Sequence, residues 1–157
     1  MDLSVNVGYF APHITSDHKL IKELDNLGVS CIWTAEAYGY DAATPLAYFS
    51  AITSNIELGT GIMQIPARTP AMAAMTAVTL DKLSNGRFRL GLGVSGPQVV
   101  EGWHGIAYGK PLVKTREYIS IVRDILRREG KTTFEGEYYK LPYVCSKSKN
   151  NKRINSD

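Results

Sequence analysis

Short apolar runs alternate with amphipathic stretches along most of the chain. Four of these runs have the composition of buried β-strands, and they occupy residues 3–9, 29–33, 56–62 and 88–94. Successive runs start about 30 residues apart, which is the length of a strand, a helix and two short loops. The pattern therefore predicts four consecutive βα units whose parallel strands are joined by crossover helices.

Helix signals follow each predicted strand. The starts carry capping residues, in two cases followed by Pro at the first helical position, and the ends carry glycines. These signals are Asp17, Thr44-Pro45 and Thr69-Pro70 at the starts and Gly28, Asn85-Gly86 and Gly130 at the ends. The fourth helix is predicted to bury a stripe made of Leu112, Thr115, Ile119, Val122 and Leu126.

Two architectures are built from such units, an open doubly wound sheet and a (β/α)8 barrel. The periodicity leaves both open, but nothing indicates a reversal of strand order, which favours the barrel. A barrel needs eight units and about 250 residues, whereas this chain has 157 residues and shows four units. We therefore predict an α/β fold that corresponds to the first four βα units of a TIM (β/α)8 barrel, truncated after them.

The C-terminal part of the chain differs from the rest. Residues 131–142 fit a short hairpin or an extended excursion, and residues 143–157 are polar without any hydrophobic period, which predicts disorder. The net charge of +3 comes from this tail, which holds four basic residues and one acidic residue. We expect one domain at residues 1–142 and a basic, disordered tail at residues 143–157.

Composition excludes several classes of protein. With 44% apolar and 21% charged residues the chain is typical of a globular domain. Its body is neutral, which argues against a nucleic-acid partner. No basic leader and no long apolar run occur, so we expect a cytoplasmic protein without a membrane partner. The two cysteines and three histidines lack the spacing of a disulfide framework or a metal site.

Candidate chemistry lies at the carboxyl ends of the strands, where parallel α/β proteins place their sites. Glu36 follows the second strand directly and could handle a proton or form a salt bridge. His104 lies in the long loop 95–111, as a candidate acid or base or as an ordinary loop residue. Gly59 and Gly61, at the end of the third strand, fit either a flat ring pressed on the backbone or plain packing.

Residues 91–96 read GLGVSG and match the G-x-G-x-x-G pattern of a dinucleotide-binding turn. Such a turn needs a helix that starts at the third glycine and an acidic residue after the next strand. No obvious helix signal follows for a dozen residues or more, and Glu117 falls inside the fourth helix. We therefore interpret these glycines as small residues that let the fourth strand pack closely.

Five segments carry a resemblance to a known family. They are TAEAYGYDA at 34–42, LGTGI at 58–62, ARTPA at 67–71, LDKLSNGRF at 80–88 and LGLGVSGPQ at 90–98. In this order, between Val5 and Pro142, they resemble the bacterial luciferase-like superfamily, and within it the oxidoreductases that depend on the deazaflavin coenzyme F420.

The resemblance implies a barrel with the coenzyme ring across the carboxyl ends of the strands, and hydride transfer between F420 and a small organic substrate. FMN is the alternative cofactor, since flavin-dependent monooxygenases share the fold. A bulge at Gly61-Ile62, often with a non-prolyl cis peptide, is implied to back the ring. The implied cofactor contacts are Glu36, Thr60, Gly61, Ile62, Ser95 and Gly96. Glu36 or His104 is the candidate for the proton that accompanies the hydride.

The family's phosphate-binding segments belong to the second half of the barrel, which we do not find in this chain. An open half barrel exposes two edge strands and its inner side chains. We therefore expect a truncated or frame-shifted relative of doubtful activity that self-associates or pairs with a complementary barrel half. Two alternatives stay open: an FMN-dependent monooxygenase, and a non-catalytic fragment that associates with a full-length relative.

Overall fold

A computed structural model describes residues 2–7 and 18–142 of the chain. The strands are β1 (Ser4–Asn6), β2 (Cys31–Thr34), β3 (Glu57–Thr60), β4 (Met63–Gln64), β5 (Phe88–Arg89), β6 (Leu92–Gly93), β7 (Phe134–Glu135) and β8 (Lys140–Leu141). The helices are α1 (His18–Asn26), α2 (Ala43–Ile52), α3 (Pro70–Leu83), α4 (Pro97–Val100) and α5 (Pro111–Arg127), with a 3-10 turn at Ile65–Ala67. The predicted start of the first helix at Asp17 and the predicted tail at 143–157 lie outside the described residues.

The main sheet is parallel, and its strands follow the order of the chain, β1-β2-β3-β5. β4 pairs with β6, also in parallel. The parallel α/β arrangement is therefore as predicted. An order without reversal is the one that a barrel requires, whereas a doubly wound sheet changes direction.

The two faces of this sheet have different chemistry because side chains alternate along a strand. One row of register partners is apolar and packs in the main core with α1 and α2: Val5, Ile32, Leu58 and Phe88. The adjacent row lies on the other face: Asn6, Trp33, Gly59 and Arg89. Arg89 forms an exposed ion pair there with Glu57 of β3.

The third and fourth predicted strands, 56–62 and 88–94, are each divided in two by a short break. The Thr60 hydroxyl donates to the Gly91 carbonyl at 2.8 Å and accepts from the Gly91 amide at 2.9 Å. The Thr60 side chain thus replaces the backbone hydrogen bonds that a neighbouring strand would make with Gly91. The two segments lie so close together that a Cβ on Gly91 would overlap the Thr60 carbonyl. The peptide between Gly61 and Ile62 is cis, as the resemblance implied.

Two helix starts test the capping signals. At α3 the Thr69 hydroxyl accepts from the Met72 amide at 3.1 Å and Pro70 is the first helical residue, as predicted. The prediction that α2 begins at Thr44-Pro45 was wrong, because the helix starts at Ala43. The carboxylate of Asp41 accepts from the amides of both Ala43 and Thr44 at 2.8 Å, so Asp41 satisfies the first turn.

The predicted buried stripe of the fourth crossover helix was wrong at its two ends, although Val122 within it is buried. Leu112 is 74% exposed and Leu126 is 41% exposed in α5, whereas Tyr118, Ile121 and Val122 are buried. Tyr118 packs in a second core cluster with Met63 and Ile65, and this large side chain sets which face of α5 is turned inward. The helix ends at Arg127 with Arg128 in the left-handed region (φ +56°), before the predicted stop at Gly130.

At the amino ends of the strands, one buried carboxylate joins α1 to the loop that precedes β3. Asp25 accepts hydrogen bonds from the amides of Ser54, Asn55 and Ile56 at 2.7–2.9 Å. Burial by itself would raise the pKa of Asp25, but the three amide hydrogen bonds and the charge of Arg87 together lower it. We call Asp25, Arg87 and this loop the lower network.

Arg87 completes the lower network by donating to main-chain carbonyls. Its guanidinium contacts the carbonyl oxygens of Ser84 at 2.7 Å, Ile56 at 2.6 Å and Thr53 at 3.0 Å. These oxygens belong to the end of α3 and to the α2–β3 loop. Arg87 therefore fixes two helix-to-strand connections against each other.

Residues 131–142 contain the predicted short hairpin, formed by antiparallel β7 and β8. The Glu117 carboxylate on α5 accepts from the amides of Glu137, Tyr138 and Tyr139 at 2.7–3.2 Å. These hydrogen bonds fasten the tip of the hairpin to α5.

Within residues 2–7 and 18–142, no helix has the length and apolarity to cross a membrane. The same residues bring together no group of three or more His, Cys, Asp or Glu side chains that could hold a metal ion.

Candidate functional site

An open cleft of about 810 Å³ lies at the carboxyl ends of β1, β2, β3 and β6. Five predicted site residues line it: Glu36, Gly61, Ile62, Ser95 and Gly96. Of the described residues, neither Thr60 nor His104 lies in its wall. Thr60 is instead fully buried and hydrogen-bonded to Gly91, so it shapes the strand behind the cleft.

Among the described residues of the cleft wall, Glu36 is the only ionisable acid or base besides the phenol of Tyr38, and it is 8% exposed. Its Oε1 accepts from the Gln64 amide at 2.7 Å, and its Oε2 accepts from the Ala42 amide at 2.9 Å. The Arg68 guanidinium donates to both oxygens, with Nη2 3.0 Å from Oε2. A carboxylate offers about four lone-pair sites, so these four donors occupy the whole group.

This arrangement makes Glu36 a junction of three chain segments: its own loop after β2, the start of α2, and the region from β4 to Arg68. We call Glu36, Arg68 and these segments the upper network. Asp41 lies at its edge, 3.9 Å from Arg68. Burial tends to raise the pKa of Asp41, but hydrogen bonds from Thr44 and Ala43, with the charge of Arg68, lower it.

His104 lies behind the cleft wall and is connected to the upper network by Gln64. Its Nε2 is 3.0 Å from the Gln64 Oε1. Its backbone amide donates to the carbonyl of Val99, a residue of the cleft wall, at 3.0 Å. The structure therefore brings the two candidates for proton exchange, Glu36 and His104, into one hydrogen-bonded system.

The glycines at the end of the third strand have different neighbours. A Cβ on Gly59 would overlap the indole of Trp33 on β2, so close packing by the protein's own ring accounts for this glycine. At Gly61 an added Cβ would lie 3.4 Å from the same indole, and Gly61 also lines the cleft. Plain packing therefore explains Gly59, whereas the approach of a flat ring at Gly61 stays a prediction.

The GLGVSG segment contains a helix start that we did not predict. α4 begins at Pro97, directly after Gly96, where we expected no helix for a dozen residues. Proline suits a first helical position, and the helix lasts only one turn. Gly93 has a packing role, since an added Cβ would lie 3.0 Å from the Ile62 side chain. Ser95 has φ +60°, an unusual backbone conformation for a residue other than glycine, and it lines the cleft.

Two exposed aromatic side chains meet at the rim of the cleft. The rings of Tyr38 and Trp103 contact edge to face, with centroids 5.8 Å apart. Tyr38 follows β2 and Trp103 follows α4, so the pair connects the two loops on either side of the opening.

Sequence reasoning missed Gln64 and Arg68. A signal for Arg68 existed: a carboxylate buried at the end of the second strand needs a cation, and Arg68 follows the neighbouring strand. Gln64 carried no such signal, because its role depends on the break between β3 and β4, which places its amide between Glu36 and His104.

A family model described as luciferase-like monooxygenase matches residues 5–153. The protein named "Putative coenzyme F420-dependent oxidoreductase Rv3520c" from Mycobacterium tuberculosis is 49% identical over 143 residues, which make up 90% of this chain and 41% of that protein. The 4-hydroxyprotoasukamycin monooxygenase of Streptomyces nodosus subsp. asukaensis is 29% identical over 131 residues, 80% of this chain and 35% of that protein. The chain spans less than half the length of these relatives.

A solved structure shows the same fold. The coenzyme F420-dependent tetrahydromethanopterin reductase of Methanopyrus kandleri superposes with a TM-score of 0.76 at 25% identity, over 88% of this chain and 44% of that chain. The likeness agrees with the parallel strand order of the main sheet. The resemblance found in the sequence is confirmed: the chain belongs to the luciferase-like monooxygenase family.

Proposed function

We propose that this chain forms the ring-binding part of an oxidoreductase that uses coenzyme F420 and a small organic substrate. The observation that carries the proposal is the cleft itself, in which five predicted cofactor contacts from three separate strand ends share one wall. The 49% identical relative named as F420-dependent supports this choice of coenzyme.

The cleft fits the ring of such a coenzyme. Its volume of about 810 Å³ lies within the range of small-molecule sites, about 300–1,000 Å³. Ala35, Ile62 and Val99 give the wall an apolar surface, and Gly61 and Gly96 let a flat group approach the backbone. Among the described lining residues there is no Lys or Arg, so the phosphate-bearing part of the coenzyme requires groups outside this cleft wall.

The two candidates for proton exchange, Glu36 and His104, have different roles. Glu36 is a positioning residue, because its four lone-pair sites already have donors and a proton transfer would have to displace one of them. His104 is the candidate for proton exchange, because among the described contacts a side chain engages its Nε2 and none engages its Nδ1. When bound, F420 supplies the carbon that gives or takes a hydride, while the cleft orients the ring and shields it from water.

Titration of the full chain with F420, followed by the absorbance of the deazaflavin, tests the proposal. We expect saturable binding that weakens at least about tenfold, or 1.4 kcal/mol, in Ala37→Leu, which adds apolar volume to the cleft wall. The matched control is Ala71→Leu, which adds the same side chain at an exposed position of α3. Equal binding by both variants, or no binding of F420 by the native chain, would contradict the proposal.

A monooxygenase that uses reduced FMN is the second candidate, and the match to a relative named as a monooxygenase favours it. The cleft wall itself does not distinguish the two rings. Parallel titrations with F420 and FMN decide between them, because the preferred coenzyme saturates the cleft at lower concentration.

We also propose that the chain self-associates or pairs with a complementary barrel half. The edges of the main sheet support this, because β1 and β5 each pair on one side alone among the described strands, and open edges favour pairing with another chain. A third possibility is a non-catalytic chain that binds a full-length relative. Co-purification with such a relative without turnover would favour it, whereas a soluble monomer that melts cooperatively would contradict every form of pairing.

A further inference from the structure

We propose that Gln64 is a positioning residue for His104: it holds the imidazole with the hydrogen on Nε2 and leaves Nδ1 as the nitrogen that exchanges a proton. The use of that proton in the reaction rests on the proposed function. The hydrogen bond and the tautomer do not, and they can be tested on the chain without coenzyme.

The orientation of the Gln64 amide follows from its neighbours. Its Nε2 lies 2.8 Å from the carbonyl oxygen of Glu36 and 3.4 Å from that of Ala37. Carbonyl oxygens only accept hydrogen bonds, so the NH2 group of Gln64 must face them. The amide oxygen is then the atom that faces His104.

This orientation decides the state of the histidine. The Gln64 Oε1 lies 3.0 Å from the His104 Nε2. An amide oxygen cannot donate, so the hydrogen of this contact belongs to His104. In the neutral ring the other nitrogen, Nδ1, is then an acceptor, and it is the atom at which a proton can be taken up or released.

Gln64 is held firmly enough to impose this choice. It is 1% exposed, and its backbone amide donates to the Glu36 Oε1 at 2.7 Å. Both its backbone and its side chain are therefore attached to the Glu36 segment, which Arg68 fixes in turn. The backbone of His104 is fixed as well, because its amide donates to the carbonyl of Val99 at 3.0 Å.

Nuclear magnetic resonance of the full chain with 15N-labelled histidine tests the proposal at pH 8, above the usual titration range of imidazole. We expect His104 to show a single Nε2–H tautomer, and an Nε2–H proton that exchanges with water slowly enough to be observed and contacts the Gln64 side chain. In Gln64→Leu that proton signal should be lost and the two ring nitrogens should move toward the averaged shifts of a free imidazole.

Gln98→Leu is the matched control, because it makes the same substitution at a glutamine that has no hydrogen bond to His104 among the described contacts. The His104 spectrum of this variant should remain native. If Gln64→Leu does not fold, the native spectrum still decides, since an unprotonated Nε2 or an unobservable Nε2–H proton overturns the proposal. An unchanged His104 signal in folded Gln64→Leu overturns it as well. Failure of F420 to bind would refute the proposed function and leave these signals in place.

Discussion

The upper and lower networks use the same chemical device at opposite ends of the sheet. In each, a buried carboxylate accepts hydrogen bonds from the backbone of another segment, and an arginine lies close by. Asp25 does this at the amino ends of the strands and Glu36 at the carboxyl ends. Each network fixes loops that have no regular structure of their own.

The arginines mark the difference between the networks. Arg87 donates to main-chain carbonyls and stabilises Asp25 through its charge, whereas Arg68 donates directly to both oxygens of Glu36. Only the upper network borders a cleft and continues through Gln64 to His104. In barrel folds the amino-end face serves stability and the carboxyl-end face carries function. We therefore expect the lower network to serve the fold alone and the upper network to serve both the fold and the proposed site.

The largest effect on the free energy of unfolding should come from Arg68→Met, which removes the guanidinium that pairs with Glu36. Removing one partner of a buried ion pair costs about 3–5 kcal/mol, and the change also frees the loop that forms the cleft wall. We expect a loss of this size in the free energy of unfolding, measured with urea, together with weaker F420 binding. Arg116→Met, at an exposed position of α5, is the control and should change neither quantity. A loss below about 1 kcal/mol would mean that the pair is effectively solvated.

Arg87→Met should destabilise the chain somewhat less than Arg68→Met. It should also distinguish the two networks, because it should affect stability without affecting F420 binding. It leaves the carbonyls of Ser84, Ile56 and Thr53 without a donor, and an unsatisfied buried group costs about 1–3 kcal/mol. We expect about 2–3 kcal/mol in the same urea measurement. Binding of F420 by the folded fraction should keep the native dissociation constant, because no part of the lower network reaches the cleft. Weaker binding would show that the two ends are coupled.

Local sequence patterns predicted part of the regular secondary structure between the two networks. Strand spacing predicted the parallel order, and Thr69-Pro70 and Asn85-Gly86 marked α3, because these signals depend on neighbouring residues alone. The stripe of the fourth crossover helix was wrong at Leu112 and Leu126, because the docking of Tyr118 is a tertiary contact that the local pattern does not contain. Glu36 lines the cleft, as its position after the second strand indicated. Its hydrogen-bond partners Gln64 and Arg68 lie about 30 residues away in the sequence, and a local pattern contains no information about such long-range contacts.

Lowering the pH should show how much the charge of Asp25, in the lower network, contributes to the stability of the fold. The pKa of Asp25 is lowered in the folded state, so its carboxylate contributes stability above the unfolded value of about 3.9 and loses that contribution as the pH falls through the folded pKa. Asp25→Asn should therefore be less stable than the native chain at pH 7, and the difference should shrink between pH 5 and pH 3. Melting temperatures across this range measure it, and a constant difference would show that shape, not charge, is what Asp25 contributes.

The smallest predicted effects on the free energy of unfolding concern Thr69 and Asp41, which cap the first turns of α3 and α2. Thr69→Ala removes one hydrogen bond to the Met72 amide and should cost about 1 kcal/mol. Asp41→Ala removes two, to Ala43 and Thr44, together with a charge 3.9 Å from Arg68. Asp41 lies 3.9 Å from Arg68, so the double variant Asp41→Ala/Arg68→Met should lose less stability than the sum of its single variants. Thr69→Ala/Arg68→Met should come closer to additivity, because the Thr69 hydroxyl and the Arg68 guanidinium share no hydrogen-bond partner among the described contacts. Urea unfolding of the three single and two double variants, with the native chain, measures both couplings, and additivity in both pairs would place Asp41 outside the network.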